Sequence, residues 1–396
     1  MKVLVTHPGR QHSHQLVQAL YEEELLREFW TGIPSSRTQG QGPLYSLIAR
    51  MSPQPLLDLP AQYVKHNYLP PAARRLFRHL LSPPLQVVCN HIVLQWFDRW
   101  CAAQLPTDLD LVICYENSAR RTFREAKKQG TTTILDAASF HHTWQDEFYD
   151  SVESEKVHQM IVRHKDEEIQ LADHILTVSK LARESYIDAG VDPEHVTSVP
   201  MGVDLSDFSP GATETWADDA SFRFIFAGHA SRRKGVDVLL SASERVTENL
   251  QLEHRLQFAG GRDAALFTDT KAPFEHLGYL DRSALVEAFR QADCLVLPSR
   301  HDSFGRVIVE ALSTGLPVIV SEHVGAKEAL EEGESGWVVP AEDVDALAER
   351  MQWCIRHRSK IDEMKEAAVR SAQSYSWSSY RRRVVSVIKH LLFVHH

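Results

Sequence analysis

The stretch Pro298-Ser299-Arg300-His301-Asp302-Ser303-Phe304-Gly305-Arg306 runs on through Val309 to Glu310-Ala311-Leu312, and it sets two acids eight residues apart around a polar loop that ends in glycine. An apolar run, Cys294–Leu297, stops at Pro298, and a helix is predicted from near Gly305. A ligand held by this loop lies beyond the carboxyl end of a strand, with helix N–H groups directed at it. Asp302 sits on the loop and Glu310 two turns into the predicted helix, so they can meet opposite ends of one extended ligand. Glu310 is suited to accept hydrogen bonds from sugar hydroxyls. A second stretch, Phe226-Ala227-Gly228-His229-Ala230-Ser231-Arg232-Arg233-Lys234-Gly235, repeats the order strand, glycine loop, helix, here with three cations. Cations on a loop that faces helix N-termini are what a diphosphate needs as its charge grows on leaving. Three basic residues alone more often form a solvated loop. The acidic loop elsewhere in the same strand series is what makes them informative.

The elements that must position these loops are short β-like runs alternating with helix-period segments. In the first half the runs are Lys2–Thr6, Leu109–Tyr115, Thr132–Leu135 and His174–Val178. In the second half they are Phe222–Ala227, Leu256–Ala259, Cys294–Leu297, Val318–Val320 and Trp337–Val339. They are apolar on both faces, as strands covered by helices on each side must be. The alternation predicts an α/β fold of doubly wound parallel sheets. Patterning is weakest over Asp204–Ser221, with Pro210 and Gly211. The predicted division is therefore 1–205, a linker 206–221, a second domain 222–376, and a helix over 377–396 that is either an ordinary terminal helix or one that packs back on the first domain.

Residues 41–100 interrupt the alternation with prolines and a basic, leucine-rich mixture that includes Leu44, Tyr45, Ile48, Arg74, Arg75, Phe77, Arg78, Leu80 and Leu81. They read as a helical insertion: a core helix pair with a basic edge, or a surface that touches acceptor or membrane. The 396 residues, 43% apolar and 24% charged, exclude disordered and fibrous classes. A net charge of -10 gives no support to nucleic-acid binding. Five scattered cysteines (Cys89, Cys101, Cys114, Cys294, Cys354) fit neither a disulfide framework nor a zinc cluster and point to a reducing compartment. No apolar run of signal-peptide or membrane-spanning length is present, so the expected location is the cytoplasm, with room for peripheral contact at the inner face of a membrane.

Taken together, the motifs resemble those of retaining glycosyltransferases of the large GT-B group, the family-4 type (glycosyl transferases group 1). Pro-Ser, an acid, seven residues and Glu-Ala are matched from Pro298-Ser299 through Asp302 to Glu310-Ala311. Pro200-Met201-Gly202-Val203-Asp204 with Phe208 and Pro210, Ala172-Asp173-His174-Ile175 with Val178-Ser179, Gly260-Gly261, and Leu277-Gly278-Tyr279-Leu280 follow in the same pattern. The likeness is dense over about 170 to 340 and thin elsewhere. It implies two Rossmann-like domains facing a central cleft, with the acceptor on the N-terminal one and a nucleotide-diphosphate sugar on the C-terminal one. It implies no metal and no cofactor.

Carried over residue by residue, Glu310 binds the ribose, and Asp302 with the backbone of Ser303-Phe304-Gly305 holds the donor sugar. Lys234, with Arg232 or preferably Arg233, neutralises the diphosphate beside Gly228, and Gly278-Tyr279-Leu280 faces the base. In the first domain, Asp136-Ala137-Ala138-Ser139-Phe140-His141-His142 follows a strand end. His141 is expected near the reacting carbon, with His142 the alternative, and Gly9 lets backbone approach the ligand. Two departures are visible: Asp302 stands where glutamate is usual, and His229 where an arginine is usual. The expected acceptor is a glycan, a lipid-linked glycan or a small molecule. Rival readings are an epimerase of the same fold, an inactive nucleotide-sugar-binding subunit, and a metal-dependent hydrolase built on His7, His12 and His14. Asp108-Leu109-Asp110 imitates a metal-binding Asp-x-Asp, but it leads into a strand and is discounted.

Overall fold

The computed structural model describes residues 1–9, 12–32, 59–69, 81–146, 153–211, 221–250 and 253–394. It divides into two compact units. The first comprises Met1–Thr177, Arg183–Val199 and Tyr380–His396, and the second Val178–Ala182 and Pro200–Ser379. The chain thus passes into the second unit at Pro200, ahead of segment 206–221, of which 212–220 lie outside the described residues.

In the first unit, β1 (Val3–His7), β2 (Leu26–Thr31), β3 (Val64–His66), β4 (Leu111–Tyr115), β5 (Thr132–Ala137), β6 (His174–Thr177) and β7 (Val196–Ser198) form one sheet in the order β3-β2-β1-β4-β5-β6-β7. Every pairing is parallel. The strand order reverses between β1 and β4, which makes the carboxyl ends of those strands a topological switch point. Trp30, Phe97 and Phe123 are buried in the core on one side of the sheet. β2 was missed by sequence reading because Arg27 and Glu28 interrupt its apolar run. Glu28 is nevertheless buried, accepting a hydrogen bond of 2.6 Å from the Trp30 indole and pairing with Lys65 at 2.9 Å. The region expected as a purely helical insertion includes strand β3 as well as the long helix Pro83–Ala102. Leu44, Tyr45, Ile48, Arg74, Arg75, Phe77, Arg78 and Leu80 lie outside the described residues. From Tyr380 onward the helix Trp377–Val394 belongs to this unit, where Arg381 bonds Gln15 and Lys389 pairs with Glu23 at 2.6 Å.

In the second unit, β8 (Phe222–Ala227), β9 (His254–Ala259), β10 (Phe274–Gly278), β11 (Cys294–Leu297), β12 (Val318–Ser321) and β13 (Gly336–Val339) form a parallel sheet in the order β10-β9-β8-β11-β12-β13. Its reversal lies between β8 and β11, so the loops carrying Gly228–Lys234 and Pro298–Gly305 leave adjacent strand ends. Phe224, Phe226, Phe258 and Phe289 fill its core. Among the described residues no helix is long and apolar enough to cross a membrane.

Close backbone approach between the loops that follow β8 and β9 requires glycine. Gly260, at φ 128°, would place a Cβ 2.1 Å from the Gly228 carbonyl oxygen. Gly260→Ala is therefore expected to cost about 2 kcal/mol or more in strain and clash, lowering the melting temperature by about 4–8 °C in a thermal scan. A melting temperature within about 1 °C of the parent would show that the loop relaxes freely.

Candidate functional site

The glycine loops after β8, β9 and β10 and the first turns of the helix α1 (Arg306–Ser313) surround a pocket of about 320 Å³. Gly228, Gly261, Tyr279, Leu280, Arg306 and Glu310 are among its lining residues. Gly305 starts the helix as its N-cap at φ 82°, the left-handed region that costs a glycine nothing. Because the helix begins at Arg306, Glu310 lies little more than one turn in, closer to the strand ends than the spacing suggested. Burial raises the pKa of the Glu310 carboxyl, and the Arg306 guanidinium, 3.0 Å away, opposes that rise. Tyr279 is 86% exposed, so its ring is presented to a ligand with little packing to lose. The Gly278 carbonyl accepts the Gly260 N–H at 2.7 Å, which ties the Tyr279 turn to the neighbouring loop.

Lys234 and Asp302 form an ion pair between the loops that follow β8 and β11. Both side chains are mostly buried. Burial lowers the Lys234 pKa, Asp302 raises it, and Arg233 lowers it. Arg233 donates to the His301 carbonyl at 3.0 Å, whereas Arg232 is largely exposed. Ser303 and Phe304 use their carbonyls internally, accepting from the Ser179 hydroxyl and the Ala326 N–H. The structure thus brings Gly228, Tyr279, Leu280 and Glu310 to one pocket, and joins Lys234 to Asp302 at the neighbouring strand ends.

Three participants escaped sequence reasoning: Arg306, Asp263 and Arg300. Arg306 is the first; its i, i+4 spacing from Glu310 was the available signal. His229 pairs with Asp263 at 2.8 Å, so the residue that replaces the usual arginine is anchored by an acid 34 positions away. Arg300 bonds both carboxylate oxygens of Asp237, at 2.7 and 2.8 Å, and Glu342 at 2.6 Å. These contacts brace the cationic loop, and no spacing rule links such distant positions.

In the first unit, His141 follows β5 as expected from the position of Asp136. Its ring is buried, burial lowers its pKa to about 4, and Nδ1 lies 2.8 Å from the Thr143 hydroxyl and 3.3 Å from the Thr143 backbone nitrogen. His142 instead bonds Asp166 at 2.6 Å. His141, His142 and Asp166 are close enough to share an ion. The trio His7, His12 and His14 does not converge on a metal position. His7 Nδ1 accepts the Gly9 N–H at 3.0 Å, His12 bonds Asp136 at 2.9 Å, and the His14 ring meets Phe29 edge-on. Gly9 therefore sets the His7 tautomer. Asp108 and Asp110 precede β4 and are both held by Lys2, at 2.5 and 2.6 Å.

Residues 214–371 match the family model described as glycosyl transferases group 1, a span that contains each candidate from Gly228 to Glu310. Among curated proteins, D-inositol 3-phosphate glycosyltransferase 1 of Catenulispora acidiphila is 30% identical over 221 residues, covering 50% of this chain and 53% of that protein. Phosphatidyl-myo-inositol mannosyltransferase of Mycobacterium leprae is 29% identical over 218 residues, covering 54% and 58%. The chain spans about half the length of the curated relatives it matches. Among solved structures, sucrose-phosphate synthase of Thermosynechococcus elongatus superposes with a TM-score of 0.70 at 17% identity over 100% of both chains. The Anabaena protein HepE in complex with UDP gives 0.64 at 15%, over 98% of this chain and 100% of that one. By fold the two parallel-sheet units are of the GT-B class that the sequence predicts, and by sequence residues 214–371 carry the match to glycosyl transferases group 1.

Proposed function

We propose that the chain is a retaining, metal-independent glycosyltransferase of the family-4 type that works in the cytoplasm. Its donor is a nucleotide-diphosphate sugar held by the second unit. Its acceptor is a glycan, lipid-linked glycan or small molecule bound by the first, with peripheral membrane contact where the acceptor is a lipid. The observation that carries this reading is the glycine-walled pocket at the β8/β11 switch point, with the Glu310 carboxylate inside it and Lys234 at the adjoining loop. Glu310 takes the ribose hydroxyls, and the exposed Tyr279 ring lies against the base. Asp302 and the Ser303–Gly305 loop hold the sugar. Breaking the anomeric C–O bond builds positive charge on the sugar and negative charge on the diphosphate. Lys234 with Arg233 stabilises the latter, and the acceptor hydroxyl attacks the face that the diphosphate leaves, giving up its proton to the departing phosphate oxygen. His141, through its backbone or its ring, meets the donor sugar near the reacting carbon.

The test is a thermal-shift screen of the protein with UDP-, GDP- and ADP-sugars, followed by product analysis in EDTA. A rise in melting temperature with one donor class, and a glycoside formed with retention in EDTA, is the expected result. Turnover only with added divalent metal would overturn metal independence. Donor isomerised without any acceptor would move the reading to an epimerase.

A further inference from the structure

Arg306 opens α1 and reaches forward one helical turn to Glu310, with Nε 3.0 Å from Oε1. It is 55% exposed at its side chain, whereas Glu310 is only 12% exposed. The pair is therefore asymmetric, a half-solvated guanidinium anchored on a carboxylate sunk in the pocket wall. Both residues line that pocket. We propose that Arg306 is a positioning residue: its guanidinium occupies Oε1, fixes the Glu310 rotamer and keeps the carboxylate ionised, leaving Oε2 for the ribose hydroxyls of a nucleoside diphosphate. The inference rests on the reading that Glu310 binds the ribose.

The electrostatics of the pocket agree with this geometry. An acceptor of two hydroxyl hydrogen bonds must be ionised, since a protonated carboxyl loses acceptor capacity. Burial works against ionisation, and the nearby cations work for it. The charged and titratable groups facing Glu310 are few. Arg306 is on its own helix, and Arg282, whose positive charge also favours the carboxylate, is on the helix Arg282–Gln291 and paired with Asp207. His229, paired with Asp263, and the Tyr279 phenol are on the glycine loops. Arg306 is the group bonded directly to Glu310, so its removal lifts the carboxyl pKa further, and ligand binding is lost at a higher pH as the solution is acidified.

The experiment measures by calorimetry the affinity of UDP, GDP or ADP, whichever the protein binds, from about pH 5.5 to about pH 9. The variants are Arg306→Leu, Arg306→Lys and Glu310→Gln, each first checked for an unchanged melting temperature. Arg306→Leu is expected to bind within about threefold of the parent at the alkaline end and progressively more weakly than the parent as the solution is acidified, its acid limb displaced to higher pH. Arg306→Lys should recover most of that displacement. Glu310→Gln should flatten the limb, apart from the terminal phosphate's own titration at about pH 6, which all variants share. If Glu310→Gln flattens the limb while Arg306→Leu keeps the parental one, loses affinity equally at every pH, or is not rescued by lysine, the inference about Arg306 is overturned and the ribose reading stands. If Glu310→Gln binds like the parent, the ribose reading falls and the inference with it.

Discussion

Replacing Glu310 by alanine is expected to weaken nucleoside-diphosphate and nucleotide-sugar binding by about ten- to hundredfold. A hydrogen bond to a charged acceptor contributes about 1.5–3 kcal/mol, and each 1.4 kcal/mol is a factor of ten in affinity. The carboxylate sits in a pocket wall where water competes poorly, so the upper part of that range is the more fitting. Alanine is the best helix former, and Arg306, left without its partner, remains solvated at the surface. Neither the helix nor the charge balance around it is therefore a source of large secondary damage. Calorimetry with the nucleoside diphosphate and a parallel thermal scan check both halves of this expectation. An affinity within threefold of the parent, in a variant that melts normally, would remove Glu310 from the donor site and with it the main support for the proposed activity. Glu310→Gln should fall between the two, because the amide keeps the shape and one acceptor but adds a donor where hydroxyl hydrogens approach.

How much of this was legible in the sequence follows from where the information lies. The strands buried on both faces announce themselves as apolar runs: β8 and β11 match their expected bounds, and β5, β12 and β13 begin or end within two residues of them. β2, β3, β7 and β10 did not, although β13, also at a sheet edge, did. β3 and β7 have only three residues each, and β10 carries Glu275 and His276 in a five-residue run. Runs this short or interrupted by charge carry too little periodicity to be found, at an edge or not. The site divides in the same manner. Asp302, Glu310 and Lys234 were found because acid, loop and glycine recur at fixed offsets from a strand end, which is local information. What each side chain does without ligand is not local. Lys234 meets Asp302 across 68 positions, and His229 meets Asp263 across 34. Parallel topology brings successive strand ends together, and only the strand order β9-β8-β11 says which loops become neighbours. His141 lies between these cases: its place after β5 was readable, but its contact with Thr143 was not.

Lys234→Met is expected to lower kcat by about a hundred- to thousandfold while weakening donor binding by much less. Removal of one preorganised donor from the site where transition-state charge develops has about that effect on the chemical step. In the donor-free protein Nζ is engaged by Asp302, so ground-state binding of a diphosphate must share or exchange that cation. As the glycosidic bond breaks, the leaving diphosphate gains charge and competes better for Nζ, so the interaction strengthens toward the transition state. A residue used in this manner appears in kcat more than in affinity. The pairing also sets a trap for interpretation, because methionine leaves a mostly buried Asp302 without its cation, which is destabilising in itself. Lys234→Met combined with Asp302→Asn removes the stranded charge. If the stranded carboxylate causes the loss, the double variant recovers toward the activity of Asp302→Asn alone. If Lys234 acts on the leaving group, the double variant remains as slow as Lys234→Met. Equal losses in kcat and donor affinity for the single variant would indicate uniform binding of the diphosphate and would sink the leaving-group role.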